Sequence, residues 1–251
     1  AVGVMRIRVN RPVAVNALRP ERLIGIANVG EASGTRDDVA VIVLEGAGRA
    51  FSAGVDLKVL QGIEPAAGKI GDIFDAPARR AYLAIRNAEV PVIAKVHGVA
   101  TAAWCQLVAS GDLAVAASDS RFATPGVNIG LFCSTPMVAV SRNMGRKQTM
   151  EMLLTGDMID AEAARTGGLI NKVVPDAELD DAVSAYARQI VSKSPLTLKI
   201  GKEAFYRQLE MPLEDAYTYA SEVMVANMLA RDAGEGIDAF LEKRDPEWTG
   251  E

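Results

Sequence analysis

Three segments carry the residues able to do chemistry. The first is "RAFSAGVDLKVL" (49–60), where Gly54 and the small residues Ser52 and Ala53 sit between an apolar Val/Ile run and a helical pattern. Small residues there let a ligand approach bare backbone N–H groups, which suit an anion or a carbonyl oxygen. Read alone, the segment is better explained as a tight strand-to-helix turn. The second is "HGVATAAWCQLVASGD" (97–112), in which "ATAA" leads into an apolar helix. Two such loops, each following a parallel strand, would aim two N–H groups at one spot. That is an oxyanion hole, which stabilises negative charge developing on a carbonyl oxygen, and the dipole of the second helix adds to it. Gln106 shares a helix face with Ala103. It either looks into the site or ties down a neighbouring loop, and its amide can hold a water without taking that water's proton. The third is "SRFATPGVNIGLFCSTPM" (120–137), with a turn at Pro125-Gly126. It offers Asn128, Ser134, Thr135 and backbone; no carboxylate falls between Asp119 and Glu151.

The remaining reactive side chains narrow the chemistry. His97 is the only histidine. Before a Gly turn it is expected to hydrogen-bond nearby backbone, and a histidine-built metal site is excluded. Cys105 and Cys133 lie in apolar neighbourhoods with no CxxC, so they are expected to be core thiols in a reducing compartment rather than a disulfide framework or zinc site. No metal is expected. The net charge of −5, from 27 basic and 32 acidic residues spread along the chain, argues against nucleic acid or an anionic membrane as the main partner. There is no apolar run of membrane-spanning length and no signal peptide. The chain is expected in the cytoplasm, or in an organellar matrix if a targeting segment has been removed.

These loops need elements to position them. "VAVIVLE" (39–45), "VPVIAKV" (90–96) and "LAVAA" (113–117) are continuous apolar runs, as expected of parallel strands buried on both faces. "VMRIRV" (4–9) alternates and predicts a more exposed strand; "INKVV" (170–174) is a short one. Helices are predicted from Pro20, over 76–88 and from Ala102 or Ala103, then after the Gly stop of "IDAEAARTGG" over 178–193, 195–209 and 213–230. The chain of 251 residues, 49% apolar, thus divides into an α/β core over 1–190 and a helical section over 191–251.

"VNRPVAVNAL" (9–18), "FSAGVDLK", "VHGVATAAWCQLVASGDLAVA", "LLTGDMIDAEAARTGGLINKVVP" (153–175) and "RDAGEGIDAFLEKRDPEW" (231–248), in this order, resemble the crotonase family, the enoyl-CoA hydratases and isomerases. "ATAAxCQLVAS" and "FATPGVNIGLFCSTP" look most like its enoyl-CoA hydratase domain-containing protein 3 branch. The resemblance implies a crotonase-like ββα spiral with a helical C-terminal trimerisation region, assembling as a homotrimer or a dimer of trimers. It implies an acyl-CoA thioester as ligand, with coenzyme A part of the substrate and no separate cofactor. By resemblance the two oxyanion amides belong to Ala53 and Ala103. The implied coenzyme A contacts are Ala14, Val15, Ala53, Gly54, Val55, Asp56 and Ala103, with Lys58 and Lys202 as phosphate partners. Hydratases of the family use two glutamates. Gln106 and Gly126 hold those positions here, and Ser134 holds a third position where some members carry a carboxylate. Hydration by paired carboxylates is therefore in doubt. The readings left are an acyl-CoA enzyme with altered proton chemistry (decarboxylation, isomerisation, thioester hydrolysis), a non-catalytic acyl-CoA-binding homologue, and a residual hydratase. Glu64, Asp72 and Asp75, in "QGIEPAAGKIGDIFDAPAR" (61–79), are further acids without an assigned place.

Overall fold

The structure, a computed structural model, describes residues 3–33, 36–62, 69 and 76–251; Glu64, Asp72 and Asp75 lie outside them. Five parallel strands form the main sheet: β1 (Gly3–Val9), β2 (Val39–Gly46), β3 (Val92–Val96), β5 (Leu113–Ala117) and β8 (Lys172–Val174), in the order β1-β2-β3-β5-β8. The apolar runs are continuous because both faces are covered, and alternate side chains serve opposite faces. Ile42, Leu44, Ala94 and Ala116 pack towards helices 20–32, 76–87 and 103–110. Val41, Val43, Ile93 and Val115 pack against Leu179, Val183 and Ala187 of helix 179–191. That helix is therefore part of the sheet's packing.

β1, at the sheet edge, alternates as expected. Its outward Arg6 and Arg8 reach Glu45 on β2, at 3.0 and 2.6 Å. The charges blunt an edge that would otherwise invite pairing with another chain.

Beyond their sheet, β3 and β5 turn into short second strands. β4 (Val99–Thr101) runs parallel to β6 (Arg121–Ala123), and β7 (Ile159–Asp160) pairs antiparallel to β6. Gly98 makes the first turn at φ +61°; a Cβ there would meet the Arg49 carbonyl oxygen at 2.6 Å. Each unit ends in a helix, 103–110 or 134–140, and this repeated ββα path is the spiral that sets the functional loops side by side. Helices 195–208, 213–228 and 231–242 follow, and large apolar side chains such as Phe205, Tyr217, Met224 and Phe240 stand exposed on them. Among the described residues no helix is long and apolar enough to cross a membrane.

Candidate active site

Two isolated parallel bridges, Ser52 with Ala100 and Leu18 with Val55, lay the first functional loop between its neighbours. Ser52 N–H donates to the Val99 oxygen at 2.8 Å, and Thr101 N–H to the Ser52 oxygen at 3.2 Å. On the other side Leu18 N–H donates to the Gly54 oxygen at 2.8 Å and Asp56 N–H to the Leu18 oxygen at 3.0 Å. In a parallel bridge the peptide groups flanking the central residue point to the partner, and that residue's own N–H points away. Val55 is that central residue. Its N–H has no acceptor among the described residues, and Val55 lines a deep cavity.

The expectation for Ala53 is corrected by the same bonds. Its N–H already donates to the Val15 oxygen at 3.0 Å, so it is not the free amide. Asn16 fixes that arrangement. Its fully buried side chain accepts from Arg11 N–H at 2.8 Å and donates to the oxygens of Ala47, Ala50 and Phe51. Val15 and Asn16 both take positive φ, 48° and 54°. Asparagine tolerates that region, and this is the one local signal that could have drawn attention to Asn16.

Ala103 heads helix 103–110, so its N–H has no intrahelical acceptor, and it too lines the cavity. Ala102, just before it, sits at φ 49°, ψ −116°, a conformation that costs an L-residue roughly 1–3 kcal/mol. Its N–H is tied to the Ala123 oxygen at 2.9 Å. The two loops touch at Gly54, at φ +97°, where a Cβ would lie 3.2 Å from both the Ala102 Cβ and the Thr101 oxygen.

The cavity measures about 670 Å³, and its walls are mostly apolar: Leu18, Leu23, Leu57, Ile129, Leu131 and Phe132 among them. Among the described residues the polar side chains on it are Arg19, Tyr82, Asn128, Cys133, Ser134 and Thr135. Tyr82, from helix 76–87, was missed in the sequence because a lone tyrosine in an amphipathic helix reads as core. It is 9% exposed, and its hydroxyl donates to the Ala103 oxygen at 3.4 Å. Burial pushes its phenol above the ordinary value.

Gly126 and Ser134 reach the cavity, whereas Gln106 does not. A Cβ on Gly126 would meet the Leu131 oxygen at 2.6 Å and the Cys133 sulfur at 2.9 Å, so backbone fills the space a side chain there would need. Gln106 is 5% exposed, and its Oε1 has no hydrogen-bond partner among the described residues. Trp104 does not plug the cavity either. It is fully buried, edge-on to Phe51 with centroids 4.8 Å apart. Ser134 Oγ donates to the Phe132 oxygen at 3.3 Å.

The other expected contacts divide. Ala14 closes a single 3-10 turn (Pro12–Ala14) beside the Asp56 loop, and Lys58 stands exposed at the start of helix 57–61. Asp56 is turned to Arg11 and Arg19, at 2.6 and 3.3 Å; the Arg11 bond holds its carboxyl below the usual range despite burial. Lys202 lies away from the cavity, paired with Asp112 at 2.8 Å and donating to the oxygens of Ile85 and Val90. His97 bonds the Gly48 oxygen at 2.7 Å, as expected. Cys105 is a core thiol that burial pushes up to about 12, while Cys133 differs from expectation in lining the cavity.

The chain matches the enoyl-CoA hydratase/isomerase family over residues 1–251. It is 45% identical over 249 residues to the human mitochondrial enoyl-CoA hydratase domain-containing protein 3, covering 99% of this chain and 82% of that protein. Among solved structures, an enoyl-CoA hydratase from Mycobacterium smegmatis superposes with TM-score 0.95 at 47% identity, covering 98% of this chain and 95% of that one. The human domain-containing protein 3 superposes with TM-score 0.94 at 45% identity, covering 98% and 96%.

Proposed function

Since the chain belongs to the enoyl-CoA hydratase/isomerase family, we propose that it binds an acyl-CoA thioester in the apolar cavity and holds the thioester oxygen on the amides of Val55 and Ala103. The observation that carries this is the pair of acceptor-free N–H groups, on adjacent loops, over one cavity. The acyl chain lies against the apolar wall. The coenzyme A arm leaves past Ala14, Val15, Gly54 and Asp56, with the Lys58 ammonium near its phosphates. Lys202, already spent on Asp112, is not assigned to them.

Such a hole favours any step that builds charge on the thioester oxygen. Hydration by paired glutamates is not among those we assign, because the two positions hold a buried amide and a glycine with no room for a side chain. The same observation supports a second reading, in which the cavity binds acyl-CoA without turning it over. The exposed apolar faces of the C-terminal helices support a homotrimer or dimer of trimers, and the relatives named as mitochondrial support an organellar matrix.

Cinnamoyl-CoA tests the site without needing turnover, since its absorbance shifts to longer wavelength when the thioester carbonyl is polarised. We expect saturable binding with a red shift, and no measurable hydration of crotonyl-CoA. Binding without a shift overturns the assignment of the two amides; absence of binding overturns the acyl-CoA reading.

A further inference from the structure

Resting on that reading, we propose that Tyr82 is the proton donor to the α-carbon of the thioester enolate, and that the substrate is a 2-carboxyacyl-CoA whose enolate forms by loss of CO2. The reasoning starts from what the cavity can supply. Where hydratases carry acids, this chain has Gln106, off the cavity, and Gly126, with no side-chain space. An enolate made here has to arise without those bases, and release of CO2 does that: the bond from Cα to the carboxylate breaks and its electron pair becomes the enolate.

The enolate then needs one proton at Cα. Among the described lining residues, Tyr82, Cys133, Ser134 and Thr135 carry one to give. Cys133 faces its own loop, its sulfur taking the Gly126 N–H at 3.3 Å. Ser134 donates to Phe132 on the exposed side. Tyr82 alone is bonded to Ala103, the residue whose N–H is to hold the thioester oxygen, and at 3.4 Å that bond is long enough to exchange for a better acceptor. Burial keeps its phenol protonated at neutral pH. An enolate carbon is a far stronger base than a phenolate, so transfer from the O–H to Cα runs downhill, and water returns a proton to the phenolate. The sum is one substrate and one proton in, one CO2 and the shortened acyl-CoA out. Arg19, the one cation lining the cavity among the described residues, is half-exposed and shares Asp56 with Arg11, which leaves it donors for the departing carboxylate.

The test uses the whole protein, methylmalonyl-CoA and D2O, beside Tyr82→Phe, which keeps the ring and its packing. The wild type is expected to release CO2 and give propionyl-CoA carrying one deuterium at Cα in a single configuration. Tyr82→Phe is expected to slow turnover about 10²–10⁴-fold with KM little changed, and to give product of mixed configuration because solvent protonates the enolate from either side. A variant that keeps both rate and configuration makes Tyr82 a mere prop for helix 103–110 and overturns the proposal. Wild type that red-shifts cinnamoyl-CoA yet leaves methylmalonyl-CoA intact overturns it while sparing the acyl-CoA reading. Absence of the red shift sinks both.

Discussion

Tyr82 and Tyr206 are two phenols that burial pushes above their ordinary value, in opposite surroundings. Tyr206 belongs to a saturated cluster. Its hydroxyl donates to Asp112 at 2.8 Å, Lys202 holds the other carboxylate oxygen at 2.8 Å, Val92 N–H adds a third bond at 2.7 Å, and the Arg86 guanidinium lies 5.1 Å above the ring centre. Tyr82 has one long bond to a backbone oxygen and faces a cavity. A displaced pKa thus marks both regions and separates neither, because structural ion-pair clusters perturb titration as effectively as active sites do. Unused hydrogen-bonding capacity and backbone strain separate them. Among the described residues the cavity has acceptor-free amides at Val55 and Ala103 and the strained Ala102, whereas Asp112, Lys202 and Tyr206 are bonded to one another and to neighbouring backbone.

The largest effect expected from this contrast is at Lys202. Lys202→Met leaves Asp112, whose side chain is 17% exposed, without its counter-charge, which should cost close to the lower end of the roughly 3–5 kcal/mol found for fully buried pairs. Denaturant unfolding should show that loss, while the cinnamoyl-CoA affinity of the folded variant stays unchanged. Weakened binding with unaltered stability would reverse the assignment and return Lys202 to the ligand.

Next comes the amide pair itself. An ester in place of the peptide bond at Val55 removes its N–H and weakens the Gly54 carbonyl as acceptor for Leu18 N–H. We expect the cinnamoyl-CoA red shift to collapse and any turnover to fall about 10²–10³-fold, or roughly 2.7–4 kcal/mol. The same replacement at Ala53 removes the bond to Val15 and weakens the Ser52 carbonyl as acceptor for Thr101 N–H, which should lower stability by about 1–2 kcal/mol and leave the shift in place. If the Ala53 ester abolishes the shift and the Val55 ester does not, the order of the two residues is wrong.

That two-residue correction shows where sequence reading stops. The strands at 39–45 and 113–117 were legible because Val/Ile runs bounded by turns have few other uses, and the spiral followed from five ordered segments. The loops were legible too, as small residues between strand and helix. Which of Ala53 or Val55 offers its N–H was not, since both look alike as letters. The answer depends on the bridge to Leu18 and on Asn16, distant in sequence, holding Val15 against Ala53. Lys202 was misassigned for a similar reason: a lysine on a late helix shows its charge in the sequence but not Asp112 waiting beneath it. Gly126 carried the reverse lesson. Its lost acid was visible, but not the Leu131 oxygen that now occupies the space.

A smaller effect is expected at Ala102. Its φ of 49° with ψ −116° suits glycine, so Ala102→Gly should relieve strain that exceeds the added flexibility of the unfolded chain. We expect a net gain of about 1 kcal/mol, seen as a higher melting temperature, with the red shift retained. A loss of stability would mean that the Ala102 methyl, packed against Gly54, holds the two loops together more than the strain separates them.

The smallest expected effect compares two thiols on either side of the cavity wall. Cys105 is fully buried in the helix behind it, and burial pushes its thiol up to about 12; Cys133 is 8% exposed, lines the cavity and is also raised by burial. Thiolate is the reactive form, so both should react slowly with iodoacetamide at neutral pH, and any rate should climb as pH rises. Cys133 should be alkylated first, with mass spectrometry of the digested protein locating the adduct. Cinnamoyl-CoA should protect it if the acyl chain lies along the Ile129–Ser134 wall. Cys105 should react only on the timescale of unfolding, with or without ligand. Equal protection of both thiols would point to global stabilisation by the ligand, and alkylation of Cys133 at an undiminished rate in saturated protein would place the acyl chain against a different wall.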